Sequence, residues 1–332
     1  MNASSQESIT SLSRKLFESA PQLNLISVSC AVCGSRETIT AAEGYDYEYA
    51  TSSNIYTFCG CRSCGHLYLN PRPSTKDLGV IYPSTYYAFA ENQAGNPVVG
   101  YFRKIWEAAK IKDFRKLAGS GKKKILDVGC GEGRFLSLLK EYGDPVWELV
   151  GLDLDEKAAE LCRRKGFRCE TARIEDFAKR EKFDVIIMFQ LIEHVDNPRL
   201  VIESMRGMLT PGGILVLETP NPRGLDYNIF KKSWWAHYHF PRHWHLFTPE
   251  SLGKILVESG YVDIQSSSLL APAAWIVSLH NFFLAKNYPK PIVDFFYFQN
   301  PLLLGIFVVF DLICKTLGMQ TSNQRVTARV AS

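Results

Sequence analysis

The stretch that most restricts the fold is Ile125-Leu126-Asp127-Val128-Gly129-Cys130-Gly131-Glu132-Gly133. It reads as a short apolar strand, then a Gly-rich turn, and leads into helical apolar spacing over 134–142. Glycines let such a turn take positive φ and let a ligand approach the backbone where the next helix begins. The same alternation continues along the chain. Strand candidates fall at 124–129, 147–152, 183–189 and 213–218, with helical stretches near 134–142, 156–165 and 198–209. Alternation of this kind predicts a parallel sheet covered by helices on both faces, an α/β doubly wound fold. Ligands bind such sheets at the carboxyl ends of the strands. A dinucleotide fingerprint would place a third Gly at 134, where this chain has Arg134. Asp127, two residues before Gly129, disfavours a pyrophosphate and favours a cationic or hydroxylated ligand. Asp153 follows the second strand, where a carboxylate can accept hydrogen bonds from a ribose diol; capping the helix at Glu156 is its ordinary alternative.

Four cysteines form two pairs, Cys30-Ala31-Val32-Cys33-Gly34 and Cys61-Arg62-Ser63-Cys64-Gly65. A two-residue gap followed by Gly turns both thiolates toward one ion, and two such knuckles make a tetrahedral structural zinc site. Strand-forming residues between them (Tyr45, Tyr47, Tyr49, Ile55, Tyr56 and Phe58) predict a zinc ribbon. A register using Cys59 in place of Cys61 spaces the knuckle less well. The nine cysteines are an odd number, and the first 25 residues are polar with no export signal. Together these predict thiols in a reducing, cytoplasmic compartment and exclude a secreted disulfide scaffold. With 38 basic and 34 acidic residues, the chain lacks the charge of a nucleic-acid coat.

Together the Gly-rich turn and Asp153 resemble the class I S-adenosylmethionine-dependent methyltransferases, over about residues 100–265. The resemblance implies a Rossmann-like, seven-stranded sheet with a closing strand at 325–330. It implies that Gly129, Cys130, Gly131 and Gly133 wrap the methionine moiety near Asp127, that Asp153 and the adjoining Leu154 hold the ribose, and that Ile174 and Glu175 bracket the adenine. Gln190-Leu191-Ile192-Glu193-His194-Val195 is similar to the Glu-His signature of small-molecule methyltransferases, including the ubiquinone O-methyltransferases. Some of those carry an acid at the position of Gln190 and bind a divalent ion, so Gln argues against a catalytic metal and leaves Gln190 to the cofactor.

The run Trp234-Trp235-Ala236-His237-Tyr238-His239-Phe240-Pro241-Arg242-His243-Trp244-His245 follows the strand candidate at 213–218. Trp235, His237, Tyr238 and His239 are expected to line an acceptor pocket. His194 or His243 is the candidate for removing a proton from an acceptor hydroxyl, with Glu193 beside them. No acid–His spacing suggests a histidine metal site. The expected acceptor is a small molecule, a sugar or a lipid-linked glycan, O-methylated, with sugar C-methylation as the alternative. RNA is disfavoured because residues 28–70 hold only Arg36 and Arg62 as bases. A zinc-ribbon adaptor with a degenerate transferase fold is the non-enzymatic alternative.

These signals divide the chain into an N-terminal extension (1–27), a zinc ribbon (28–70), a connector with a helix (71–121), a cofactor-binding domain (122–268), a hydrophobic helical insertion (269–320) and a closing strand and tail (321–332). The insertion is rich in Phe, and Pro301 to Phe310 carries no charge. No run reaches the roughly 20 residues that cross a bilayer. The expectation for 269–318 is a lid, a homodimer surface, or a segment lying on the inner face of a membrane.

Overall fold

The apolar runs become strands because each can bury both faces beneath helices. A computed structural model of the chain describes residues 19–83, 97–177 and 181–331. Most of the expected extension 1–27 and part of the connector 71–121 therefore lie outside the described residues. The N-terminal part supplies β1 (Thr38–Gly44), β2 (Tyr56–Cys61), β3 (Leu67–Leu69) and helix α1 (Pro97–Ala118). Next come β4 (Lys124–Val128), α2 (Arg134–Tyr142), β5 (Glu148–Asp153), α3 (Glu156–Arg164) and β6 (Arg168–Thr171). They are followed by β7 (Phe183–Phe189), α4 (Pro198–Met208), β8 (Leu209–Pro220), α5 (Leu225–Phe230) and β9 (His245–Leu246). The remainder is α6 (Pro249–Glu258), β10 (Tyr261–Leu269), α7 (Pro272–Ala285), α8 (Lys290–Phe295), α9 (Pro301–Thr316) and β11 (Asn323–Val330).

The large sheet has the order β10-β11-β8-β7-β4-β5-β6. Its strands from β4 to β8 pair in parallel, and β11 inserts antiparallel between β8 and β10. Side chains alternate between its two faces with the strand period. Leu126, Val150, Ile186, Met188 and Leu217 share one core with Val201 and Met205 of α4 and Leu252 and Ile255 of α6. Ile125, Val185, Ile187 and Val216 share the other with Ile111 and Phe114 of α1 and Leu139 of α2. Each such buried side chain contributes about 1.5–3 kcal/mol. Helix starts are fixed locally. Asn197 accepts a hydrogen bond from Leu200 N ahead of Pro198, and Thr248 and Ser251 form a capping box around Pro249.

The small N-terminal sheet has the order β1-β2-β3-β9, so its fourth strand comes from residues 245–246. Tyr56, Phe58 and Leu69 pack with Trp235, Tyr238, Phe240 and Trp244 in one core. Arg242 grips Asp46 with two hydrogen bonds, at 3.0 and 2.8 Å, and both side chains are fully buried. Arg72 lies 3.9 Å from the Trp244 ring centroid. The segment expected over 28–70 is thus completed by the His- and aromatic-rich run rather than closed on itself.

Helices α7, α8 and α9 fill the connection between β10 and β11. Asp311 of α9 accepts from Ala271 N at 2.7 Å and from Trp275 Nε1 at 2.9 Å, and Phe307 stacks on Trp275. Among the described residues no helix is long and apolar enough to cross a membrane.

Candidate functional site

A cavity of about 390 Å³ opens where the sheet's carboxyl edge meets the N-terminal segment. Its wall on the sheet side is Gly129 and Gly131 after β4, Asp153 and Leu154 after β5, Ile174 and Glu175 after β6, and Gln190, Leu191 and His194 after β7. Thr75, Leu78, Tyr82 and Trp244 stand on the other side. This volume is in the range of pockets that enclose a drug-sized ligand.

The turn needs its glycines. Gly129, Gly131 and Gly133 have φ of +76°, +52° and +74°, and a Cβ on Gly129 would come within 2.6 Å of Leu191 Cδ2. Asp153 holds the turn in place. Its Oδ2 accepts from Gly131 N at 2.7 Å and its Oδ1 from Asp155 N at 2.9 Å. Each oxygen keeps a second lone pair for a ligand. Burial pushes the Asp153 carboxyl upward from its ordinary value.

Three residues of the expected cofactor set support the turn from behind instead of lining the cavity. Asp127 is buried, and burial together with the charge of Asp153 pushes it up to about 7. The Cys130 thiol turns inward, 3.5 Å from the Cys169 thiol. Gly133 starts α2, and a Cβ there would meet Cys162 Sγ at 2.6 Å.

His194 is the titratable ring in the wall. Its Nδ1 is 2.7 Å from the Tyr82 hydroxyl and 3.1 Å from the Arg242 carbonyl oxygen. A carbonyl can only accept, so with hydrogen on Nδ1 the ring donates to Arg242 and keeps a lone pair on Nε2; in the other tautomer the Tyr82 hydroxyl donates to Nδ1. Burial pushes His194 down to about 3, so the ring is neutral at ordinary pH. His243 stands edge-on to it, with centroids 4.5 Å apart, and is tied by Nδ1 to the His237 carbonyl oxygen at 2.7 Å. Glu193 is fully buried. Thr219 Oγ1 donates to its Oε2 at 2.9 Å, and burial pushes the carboxyl up to about 8. One ligand atom from each of Glu193, His194 and His243 lies within 4.8 Å of the others. The fold creates this convergence, which no spacing in the sequence announces.

The expected acceptor-pocket residues lie elsewhere. Trp235 and Tyr238 are 1% exposed; the Trp235 indole donates to Asp226 at 2.6 Å and the Tyr238 hydroxyl to the Lys231 carbonyl. His237 is half-buried beside Trp235, and His239 is 2.7 Å from Glu48 Oε1. Among the described residues that wall the cavity, none of these four appears. An aromatic ring with one satisfied polar tip packs as well in a core as in a pocket. Of that run, Trp244 does reach the cavity. Tyr82 and Leu78, from the segment after the small sheet, carry no sequence signal that would have singled them out.

The two Cys knuckles do converge. Cys30, Cys33, Cys61 and Cys64 place their sulfurs within 4.8 Å of one another, with Cys30–Cys64 and Cys33–Cys61 each at 3.5 Å. Zinc–sulfur bonds of about 2.3 Å in a tetrahedron set sulfurs about 3.8 Å apart, so the four thiols fit one zinc ion. Gly34 and Gly65 close the knuckles with N–H groups on the Cys30 and Cys61 carbonyls. Cys59 instead directs its thiol to the Asn70 carbonyl at 3.4 Å, away from the four.

Fold and cavity together define an α/β protein with a ligand site at the carboxyl edge of a doubly wound sheet. Residues 102–266 match the family model described as a methyltransferase domain. A ubiquinone biosynthesis O-methyltransferase of Bradyrhizobium diazoefficiens is 27% identical over 194 residues, 53% of this chain and 73% of the relative. One from Actinobacillus pleuropneumoniae is 34% identical over 121 residues, and there the alignment spans 32% of this chain and half of the relative's length. A solved S-adenosylmethionine-dependent methyltransferase from Archaeoglobus fulgidus aligns with TM-score 0.44 and 19% identity, covering 68% of this chain and 94% of its own. Residues 102–266 carry a methyltransferase domain, and S-adenosylmethionine as the methyl donor follows from that family.

Proposed function

We propose that this chain methylates a hydroxyl of a small-molecule acceptor: a phenol, a sugar or a lipid-linked glycan. The curated relatives named above are O-methyltransferases of ubiquinone biosynthesis, which supports oxygen as the acceptor atom. The observation that carries the reading is the His194 imidazole in the wall of the cavity, held through Nδ1 by the Arg242 carbonyl oxygen and the Tyr82 hydroxyl. The donor supplies an electrophilic methyl group on a sulfonium. On this reading Asp153 and Leu154 hold the ribose, Ile174 and Glu175 flank the adenine, and the Gly129–Gly131 backbone with Gln190 holds the methionine end. Tyr82, Leu78 and Trp244 close over the cavity and keep water out. His194 takes the acceptor's proton, and His243 keeps the His194 ring in place. One zinc ion on Cys30, Cys33, Cys61 and Cys64 is structural.

Labelled S-adenosylmethionine, offered with panels of phenols, sugars and polyprenyl-linked glycans, identifies the acceptor class. On an acceptor that turns over, His194→Ala should lower turnover on the order of 10²–10⁴-fold with cofactor affinity intact. His243→Ala should have the smaller effect. Near-normal rates in both variants would leave transfer to positioning alone. The convergence of Glu193, His194 and His243 favours a second reading, a divalent ion that binds the acceptor oxygen. Activity that a chelator abolishes and a divalent cation restores, without loss of the ribbon zinc, would support it.

A further inference from the structure

Most of the exposed large apolar side chains among the described residues crowd into one segment, residues 288–319. On α9, Leu302, Ile306, Val309 and Ile313 are each half exposed or more, and they recur at helical spacing along one side. Leu303, Asp311 and Cys314, on the side turned to α7, are buried. Apart from Asp311, whose carboxylate is taken up by Ala271 N and Trp275 Nε1, the helix is apolar on both sides, and exposed Phe295, Tyr297 and Phe298 precede it. Helices apolar all round occur in protein interiors and in membranes, and monomers rarely expose apolar patches beyond a few hundred Å². At 16 residues, or about 24 Å, α9 is too short to cross a bilayer.

The charges around the patch choose its occupant. From 286 to 319 the exposed charges are Lys286, Lys290, Asp294 and Lys315, and Asp294 is paired with Lys290 at 2.5 Å. A second copy docked by two-fold symmetry would set this cationic rim against itself. Anionic phospholipid headgroups complement it, and aromatic rings at the level of those headgroups suit an interface. We propose that the outer side of α9, with the Phe295–Phe298 turn, lies in the headgroup–acyl boundary of an anionic phospholipid membrane. This goes beyond the methyl-transfer reading and does not rest on it.

Flotation of the full chain with phosphatidylcholine vesicles, with and without phosphatidylglycerol, tests the proposal. The protein should float with the anionic vesicles, and less so as salt is raised. The variant Leu302→Gln/Ile306→Gln/Val309→Gln/Ile313→Gln should remain in the aqueous fraction while binding S-adenosylhomocysteine like wild type. Should that variant fail to fold, Lys286→Gln, Lys290→Gln and Lys315→Gln provide the independent arm, each weakening vesicle binding roughly fivefold. Wild-type protein that stays aqueous with both vesicle types would overturn the proposal. So would a stable dimer in solution that the α9 substitutions dissociate, because a second copy would then cover the patch.

Discussion

The Gly-rich turn after β4 and the His- and aromatic-rich run at 234–245 both look like site material in the sequence, yet the fold uses them differently. The turn walls the cavity. The run mostly fills a core, completing the small sheet through β9 and locking it through the Arg242–Asp46 pair. Positive-φ glycines between a strand and a helix state a backbone geometry, and that geometry leaves few alternatives. Histidine and aromatic side chains state only a chemistry, which cores and sites share.

The largest effect that would sharpen this contrast is loss of the proposed zinc. Cys61→Ser should release the ion and unfold the small sheet, because metal binding and folding are one equilibrium in such sites. The disturbance should spread to residues 234–245, since they share that core. Metal analysis with hydrogen exchange checks both points, and retained zinc with unchanged protection would break the assignment.

Next is the buried pair. Arg242→Met leaves Asp46 charged and fully buried, and should cost about 3–5 kcal/mol of stability in urea unfolding. Affinity of the folded fraction for cofactor should hold. A variant as stable as wild type but impaired in acceptor binding would return the run to the site.

Much of the large sheet was legible because β4, β5, β7 and β8 are apolar runs buried on both faces. Strand β6, Arg-Cys-Glu-Thr at 168–171, is not among the apolar strand candidates, because a polar strand at the sheet's edge carries little hydrophobic pattern. Strand β9 and the reach of Tyr82 to His194 are long-range facts, set by how the small sheet docks. Within the turn, the sequence distinguished which residues belong together but not which face the cavity. Asp127 and Cys130 are each one position from a wall residue, Val128 and Gly129, and lie behind the wall.

The smallest effect concerns Asp127. Its carboxyl, held up near 7 by burial behind the wall, should give up its proton more readily once the cationic amino group of the cofactor sits on the cavity side of the turn. S-adenosylhomocysteine affinity should therefore rise with pH through 7, changing by up to about tenfold per unit on the acid side. Methylthioadenosine, which lacks the amino acid moiety, and the Asp127→Asn variant should both lack that slope. The sign for the free protein is the opposite. A carboxyl raised above its unfolded value of about 3.9 adds stability below that pH and loses it as pH climbs through 7.

Calorimetric titration of S-adenosylhomocysteine into wild type and Asp153→Ala tests the central claim, that the cavity at the sheet's edge is the cofactor site. The account predicts one site per chain in wild type and a loss of about 1–3 kcal/mol in the variant, from hydrogen bonds made by a charged group. Unchanged affinity in Asp153→Ala, or no binding to folded wild type, would contradict it.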